Sequence, residues 1–209
     1  VSGCTSMQVI QCDSNKLETL DLSNLTNLES VSCTYNNMTS LITLNTTGKY
    51  NALNCSNNLL TSLDATGFST IDCSYNNLSN LKVGASLFML WCSHNQLDKI
   101  DFSTCTRIAE LDCSYNKLKS LDVTATKHGF DGGINCSYNE LTSVYLNGTF
   151  GFQSAGNRIE TISLSQAQFN ENIFLEYFKF ESWGEHNQNI YKTPTYRNGY
   201  QYPKFIFTE

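Results

Sequence analysis

The sequence has very little proline: two residues in 209, Pro194 and Pro203, both near the C-terminus. It has no basic run and no lysine stripe, and its formal net charge is −6. A nucleic-acid partner is therefore not expected, because such binding rests on neutralising phosphates. No apolar stretch approaches the roughly 18 to 20 residues a membrane-spanning helix needs, so no transmembrane segment is expected. No C-x-x-C pair occurs, and the nine cysteines do not have metal-site spacing. There is no glycine-rich phosphate loop. The three histidines, His94, His128 and His186, fall in no recognisable triad or zincin motif. No metal, no cofactor and no enzyme activity are expected. The chain begins at Val1 in what reads as mature sequence; it shows no signal peptide, which leaves secretion open.

Asparagine, serine, threonine and leucine are abundant. So polar a composition reads at first as disorder, but the asparagines recur at fixed spacing. Leu111 to Leu118 reads L-D-C-S-Y-N-K-L. Ile71 to Leu78 reads I-D-C-S-Y-N-N-L, Ile134 to Leu141 I-N-C-S-Y-N-E-L, and Leu90 to Leu97 L-W-C-S-H-N-Q-L. Looser copies start at Ile10, Val31 and Leu53, and a degenerate one at Phe152 has Ser154 in place of cysteine. The repeat asparagines are Asn15, Asn36, Asn58, Asn76, Asn95, Asn116, Asn139 and Asn157, about 18 to 23 residues apart. Each unit continues into a second apolar pair, such as Leu63 with Ala65, Ile100 with Phe102, or Leu121 with Val123.

This unit, L-x-x-L-x-C-S-x-N-x-L-x-x-L-D, resembles the leucine-rich-repeat family, with cysteine in the place of the third leucine. The short form looks like repeats in surface proteins of Bacteroidetes-type bacteria. The resemblance covers residues 1–165 in about eight repeats. It implies a curved right-handed solenoid with one parallel strand per repeat, mostly strand and loop with little helix. It also implies a non-catalytic binding scaffold, extracellular or anchored at the cell surface, that uses its concave strand face.

Alternation at L-x-C places leucine and cysteine on one face and the intervening residue on the other. One unit cannot bury its apolar side alone, but stacked units can. Cys12, Cys33, Cys55, Cys73, Cys92, Cys113 and Cys136 are therefore expected as a column of free, buried thiols. Cys4 and Cys105 share a second register with Leu25 and are expected in the core too. The asparagine should turn the chain and satisfy backbone groups of its own and neighbouring turns. The second apolar pair should line the opposite wall as short extended segments. Asp21, Asp64, Asp101 and Asp122 recur on that wall, where solubility and turn chemistry account for them.

Function must lie in the variable outward positions. The column before the cysteine is Gln11, Ser32, Asn54, Asp72, Trp91, Asp112, Asn135 and Gln153. The column before the asparagine is Ser14, Tyr35, Asn57, Tyr75, His94, Tyr115, Tyr138 and Gly156. Eight rungs at about 4.8 Å make a stripe some 34 Å long. The candidate ligand-binding residues are Tyr35, Asp72, Tyr75, Trp91, His94, Asp112, Tyr115, Asn135 and Tyr138. Aromatic rings and carboxylates suit a protein partner, through hot-spot aromatics; they also suit a glycan, through ring stacking and hydroxyl hydrogen bonds. Trp91 stands out because its column is otherwise polar.

The repeat fades after about residue 165. Residues 166–209 read as a C-terminal capping region, with a short helix or irregular turn over 166–179. Phe174, Tyr177, Phe178, Phe180 and Trp183 would cover the last rung, and a hairpin over Tyr191 to Phe207 would turn at Asn198-Gly199. No equivalent cap precedes Cys4.

Overall fold

The computed structural model describes residues 4–43, 51–127, 132–147 and 151–165, and the strand residues 196–197, 200–201 and 204–208. These form a parallel β-solenoid, with no helix among the described residues. One wall is an eight-stranded parallel sheet. Its strands in spatial order are β1 (Val9–Gln11), β3 (Ser30–Ser32), β5 (Ala52–Asn54), β7 (Thr70–Asp72), β9 (Met89–Trp91), β10 (Glu110–Asp112), β12 (Gly133–Asn135) and β14 (Phe152–Gln153). Register is strict: Ile71 pairs with Leu90 and Leu90 with Leu111, so the central residue of every strand faces the same way. That residue is buried and its neighbours are not, as the alternation requires.

The opposite wall is built from the second apolar pair, in short strands as expected. β2 (Thr19–Asp21) pairs with β4 (Ser40–Ile42), and β6 (Ser62–Asp64) with β8 (Asn80–Lys82). β11 (Ser120–Asp122), β13 (Ser143–Leu146) and β15 (Thr161–Ser165) form a longer ladder. With about 20 residues per turn, nothing remains for a helix between the walls. Between them lie Leu60, Leu78, Leu97 and Leu141, all fully buried, with the thiols stacked beside them.

The thiol column matches expectation over most of its length. Cys33, Cys55, Cys73, Cys92, Cys113 and Cys136 are buried and free, and Cys12, in the first described turn, is half-buried. The second register divides. Cys105 is buried, but Cys4 is exposed, contrary to expectation. A residue in this column is covered by the turns on both sides of it, and no described turn lies before Cys4.

The repeat asparagines hold the turns together. Asn95 is representative. Its Nδ2 donates to the carbonyls of Cys92 and Ser93 in its own turn and of Cys73 in the preceding one, at 3.1, 3.2 and 3.0 Å. Its Oδ1 accepts the Leu78 amide at 2.8 Å. Asn36, Asn58, Asn76, Asn116, Asn139 and Asn157 repeat this four-bond pattern. Asn15 makes only the own-turn bonds. One side chain thus satisfies backbone groups of two turns that lie too deep for water.

On the second wall the aspartates do turn chemistry. The carboxylates of Asp21, Asp64, Asp101 and Asp122 each accept the amide two residues on, from Ser23, Thr66, Ser103 and Thr124. The Ser23 and Ser103 hydroxyls and amides hold Asp21 and Asp101 below the usual carboxylate range. In the one turn where Lys82 takes the aspartate's place, Gly84 follows. A Cβ on Gly84 would lie 2.2 Å from the Thr66 carbonyl oxygen of the preceding turn. Gly84→Ala is expected to push two turns apart and cost about 1–3 kcal/mol. A thermal melt reads this, and an unchanged midpoint would show that the turn shifts freely.

The hairpin expected over Tyr191 to Phe207 is met in its centre and not in its second arm, and residues 191–195 lie outside the described residues. β16 (Tyr196–Arg197) pairs antiparallel with β17 (Tyr200–Gln201), around Asn198-Gly199. β18 (Lys204–Thr208) does not join it. It adds in parallel to β15, with Ile162 opposite Phe205. The free edge of β15 offers five residues of unpaired backbone, against the two of the hairpin arm. The proposed short helix or turn over 166–179 and the covering residues Phe174, Tyr177, Phe178, Phe180 and Trp183 lie outside the described residues, as do His128 and His186.

Candidate functional site

The outward column of the eight-stranded sheet does two jobs. At four of its eight rungs it stabilises the turn that follows. Asn54, Asp72, Asp112 and Asn135 each accept the amide of the serine two residues on, at 3.0 to 3.2 Å. Asp72 and Asp112 also accept that serine's hydroxyl. Sequence reasoning put these two aspartates beside Trp91 as ligand groups. The structure keeps them there, since Asp72 and Asp112 are the register partners of Trp91 on either side. It also gives each of them one oxygen committed to the fold.

Trp91 has no such turn role. Its indole Nε1 donates to Glu110 Oε1 at 2.9 Å, which fixes the ring across the sheet. Glu110 was not singled out from the sequence. Its position, one residue before the strand's central leucine, carries valine, serine, alanine, threonine, methionine or glycine in other turns, so periodicity gave no signal for it.

The second column lies at the end of each strand, where the chain turns. All eight of its residues have positive φ: Ser14, Tyr35, Asn57, Tyr75, His94, Tyr115 and Tyr138 near 50–56°, and Gly156 at 72°. The conformation keeps each backbone amide aimed at the next turn; the Tyr75 amide donates to Ser93 and that of His94 to Ser114. For a side-chain-bearing residue it costs about 1–2 kcal/mol. Stacking offsets much of this. Tyr75, His94, Tyr115 and Tyr138 form one continuous pile, with centroids 4.3, 4.2 and 4.5 Å apart and ring planes within 17° of parallel. An aromatic pair contributes about 0.5–1.5 kcal/mol beyond burial. The rung spacing of about 4.8 Å lets equivalent rings stack face to face. Gly156 ends the pile: a Cβ there would lie 2.6 Å from the Tyr138 ring.

Tyr35 stands apart from the pile because Asn57 occupies the rung between it and Tyr75. His94 fills a tyrosine slot and stacks as a tyrosine would. The stacked rings turn their edges outward, and Tyr75, Tyr115 and Tyr138 are each about half exposed. Each turn therefore presents two outward positions three residues apart, one on the strand and one on the bend.

The architecture is a parallel β-solenoid with one leucine-containing repeat unit per turn. No protein-family model and no curated protein matches the chain. Among solved structures it is similar to the functional domain of InlJ from Listeria monocytogenes, described as including a cysteine ladder. Identity there is 22%, over 83% of this chain and 53% of that one, with a TM-score of 0.39. YopM from Yersinia enterocolitica is 19% identical over 76% of this chain and 46% of its own, with a TM-score of 0.42. The leucine-rich-repeat domain of APL1 is 17% identical over 98% of this chain and 60% of its own, with a TM-score of 0.42. The chain thus spans about half the length of the first two. The solenoid itself stands on the register of its own ladders.

The described residues hold no group of three or more His, Cys, Asp or Glu side chains able to bind a metal ion. No described helix is long and apolar enough to cross a membrane.

Proposed function

We propose that this chain is a non-catalytic scaffold that binds a protein partner through the outward face of its eight-stranded sheet, the face that is concave in leucine-rich-repeat proteins. The observation that carries this reading is Trp91. Neighbouring positions in its column serve the fold, whereas Trp91 is held rigid by Glu110 and serves no turn. Rigid aromatic anchors beside polar groups are what protein interfaces use as hot spots. The glycan alternative is weakened by the aromatic pile. Sugars stack on ring faces, and both faces of His94 and Tyr115 are covered by their neighbours. The resemblance of the repeat unit to those of bacterial surface proteins supports a place outside the cell or on its surface, which antibody labelling of intact cells tests.

The binding face is tested by Trp91→Ala combined with Tyr75→Asn and Tyr115→Asn. Asparagine is the right replacement in the bend, because Asn57 already holds that conformation. The triple variant is expected to keep its fold. It should lose at least tenfold in affinity for peptides that the unmodified chain selects from a displayed random library. Undiminished binding by the folded variant would move the site off this face, and binding on a glycan array alone would replace the protein reading with the glycan one.

A further inference from the structure

We infer that the surface around Trp91 is built for a cationic side chain, arginine above all, presented by an extended segment of the partner; this rests on the protein-binding reading above. Four side chains define it: Asp72, Trp91, Glu110 and Asp112. Three are carboxylates, Asp72 on β7 and Glu110 and Asp112 on β10, the two strands that flank β9 and its Trp91. Trp91 pairs in register with both aspartates, so each lies about one strand spacing, some 4.8 Å, from it.

The chemistry of the patch is one-sided. Its one N–H donor, the Trp91 indole, is already given to Glu110. Each aspartate commits one oxygen, Oδ1, to a serine. The second oxygen of each has no hydrogen-bond partner among the described residues. What is left to an incoming group is an aromatic surface and free carboxylate oxygens. That combination suits a guanidinium, which stacks on indole and forms paired charge-assisted bonds with carboxylates.

Charge is also segregated in the coil. Neither outward column of the eight-stranded sheet contains a lysine or arginine over its whole length. The described cations lie elsewhere, for example Lys16, Lys117 and Arg158 just after the ladder asparagines, and Lys82 on the opposite wall. Lys82 has its own partner in Asp64, at 3.5 Å. Among the described residues no cation pairs with the patch, which leaves its charge to be met by the partner.

The fold supplies a clean test. Asn54 and Asn135 fill the aspartate position in sibling turns and accept the same serine amide. Asp72→Asn and Asp112→Asn therefore remove charge while keeping the turn bond, and Glu110→Gln keeps an acceptor for the indole. The probe is a fluorescein-labelled Ser-Gly peptide carrying two arginines, compared with the same peptide carrying citrulline. The arginine peptide is expected to bind at least tenfold more tightly than the citrulline one. The triple variant D72N/E110Q/D112N should lose at least tenfold in affinity at an unchanged melting midpoint. A control triple off this face, E18Q/D98N/E160Q, removes the same charge and should change affinity less than twofold.

Equal loss in the control triple would show diffuse attraction and overturn the inference, as would equal binding of arginine and citrulline peptides. Library peptides without arginine or lysine that bind the chain and are lost on Trp91→Ala would overturn it while leaving the protein-binding reading intact. Binding to glycans alone would sink both. A dimer of the chain that the D72N/E110Q/D112N variant abolishes would make a second copy the occupant, and would likewise overturn it.

Discussion

Asn95→Asp is expected to destabilise the coil by about 4 kcal/mol or more, although the two side chains have the same shape. The native amide nitrogen points at three carbonyl oxygens, those of Cys73, Cys92 and Ser93. A carboxylate would set an oxygen against all three and leave them without a donor. Each buried orphan costs about 1–3 kcal/mol, and an uncompensated buried charge costs more. The Leu78 amide would keep its acceptor. The introduced carboxyl is therefore expected to take up a proton in the folded state, with its pKa raised above the unfolded value of about 3.9. The folded variant then binds more protons than the unfolded one, so its stability is best preserved below about pH 4 and falls as the pH rises through the folded-state value. Denaturant melts of the two proteins between pH 3.5 and 8 measure this. A pH-independent loss below 1 kcal/mol would show that the ladder is not energetically important.

The second large effect is in thiol reactivity. At pH 8 only the exposed Cys4 should alkylate quickly in the native protein, while all nine cysteines should alkylate in denaturant. Burial pushes the Cys33 thiol up to about 12 and Cys105 up to about 11. It raises Cys55, Cys92 and Cys136 well above the ordinary thiol value, with neighbouring thiols adding to the shift. Cys12 is raised first by burial and then by Asp13. It should be the next to react, because its turn is only half covered. The attacking species is the thiolate, so raised pKa and blocked access act in the same direction. Several thiols also donate to carbonyls of the adjoining turn, as Cys33 does to Asn54 and Cys136 to Gln153. For the buried column, native labelling should be at least a thousandfold slower than denatured labelling, read by mass spectrometry. Fast native labelling of Cys92 would contradict its place in the core, and fewer than nine reactive thiols after unfolding would reveal a disulfide.

Much of this was legible in the residues because a repeat multiplies its own evidence. The position of Leu90 in one unit is checked by Ile71, Leu111 and Ile134 in others. The thiol column, the asparagine's double duty and the short second wall could all be read this way. Cys4 could not, because burial in a solenoid depends on what lies on both sides of a turn. The arm of the hairpin was misplaced for a similar reason. Lys204–Thr208 is a good strand by composition, but its partner is decided by which edge is free, and β15 had one.

The site divides along the same line. Trp91 between Asp72 and Asp112 follows from register alone. Its bond to Glu110 joins one side column to the other across adjacent strands, and no periodicity announces such a diagonal. Likewise the tyrosines before the ladder asparagines were visible as a column. Their left-handed backbone and their face-to-face stacking were not, because tyrosine seldom adopts positive φ by itself.

By itself the sequence determined the coil: its period, its inward columns, and the amide that ties each turn to the one before. Those features depend on local alternation and on identical units stacking, and both are written in a single repeat. Only the tertiary structure decided which outward groups were left uncommitted to the fold. It spent one oxygen each of Asp72 and Asp112 on turns, closed the ring faces of His94 and Tyr115, and left Trp91 fixed among carboxylates with no cation paired to them among the described residues. Those outcomes depend on distances between neighbouring turns, which no single repeat contains.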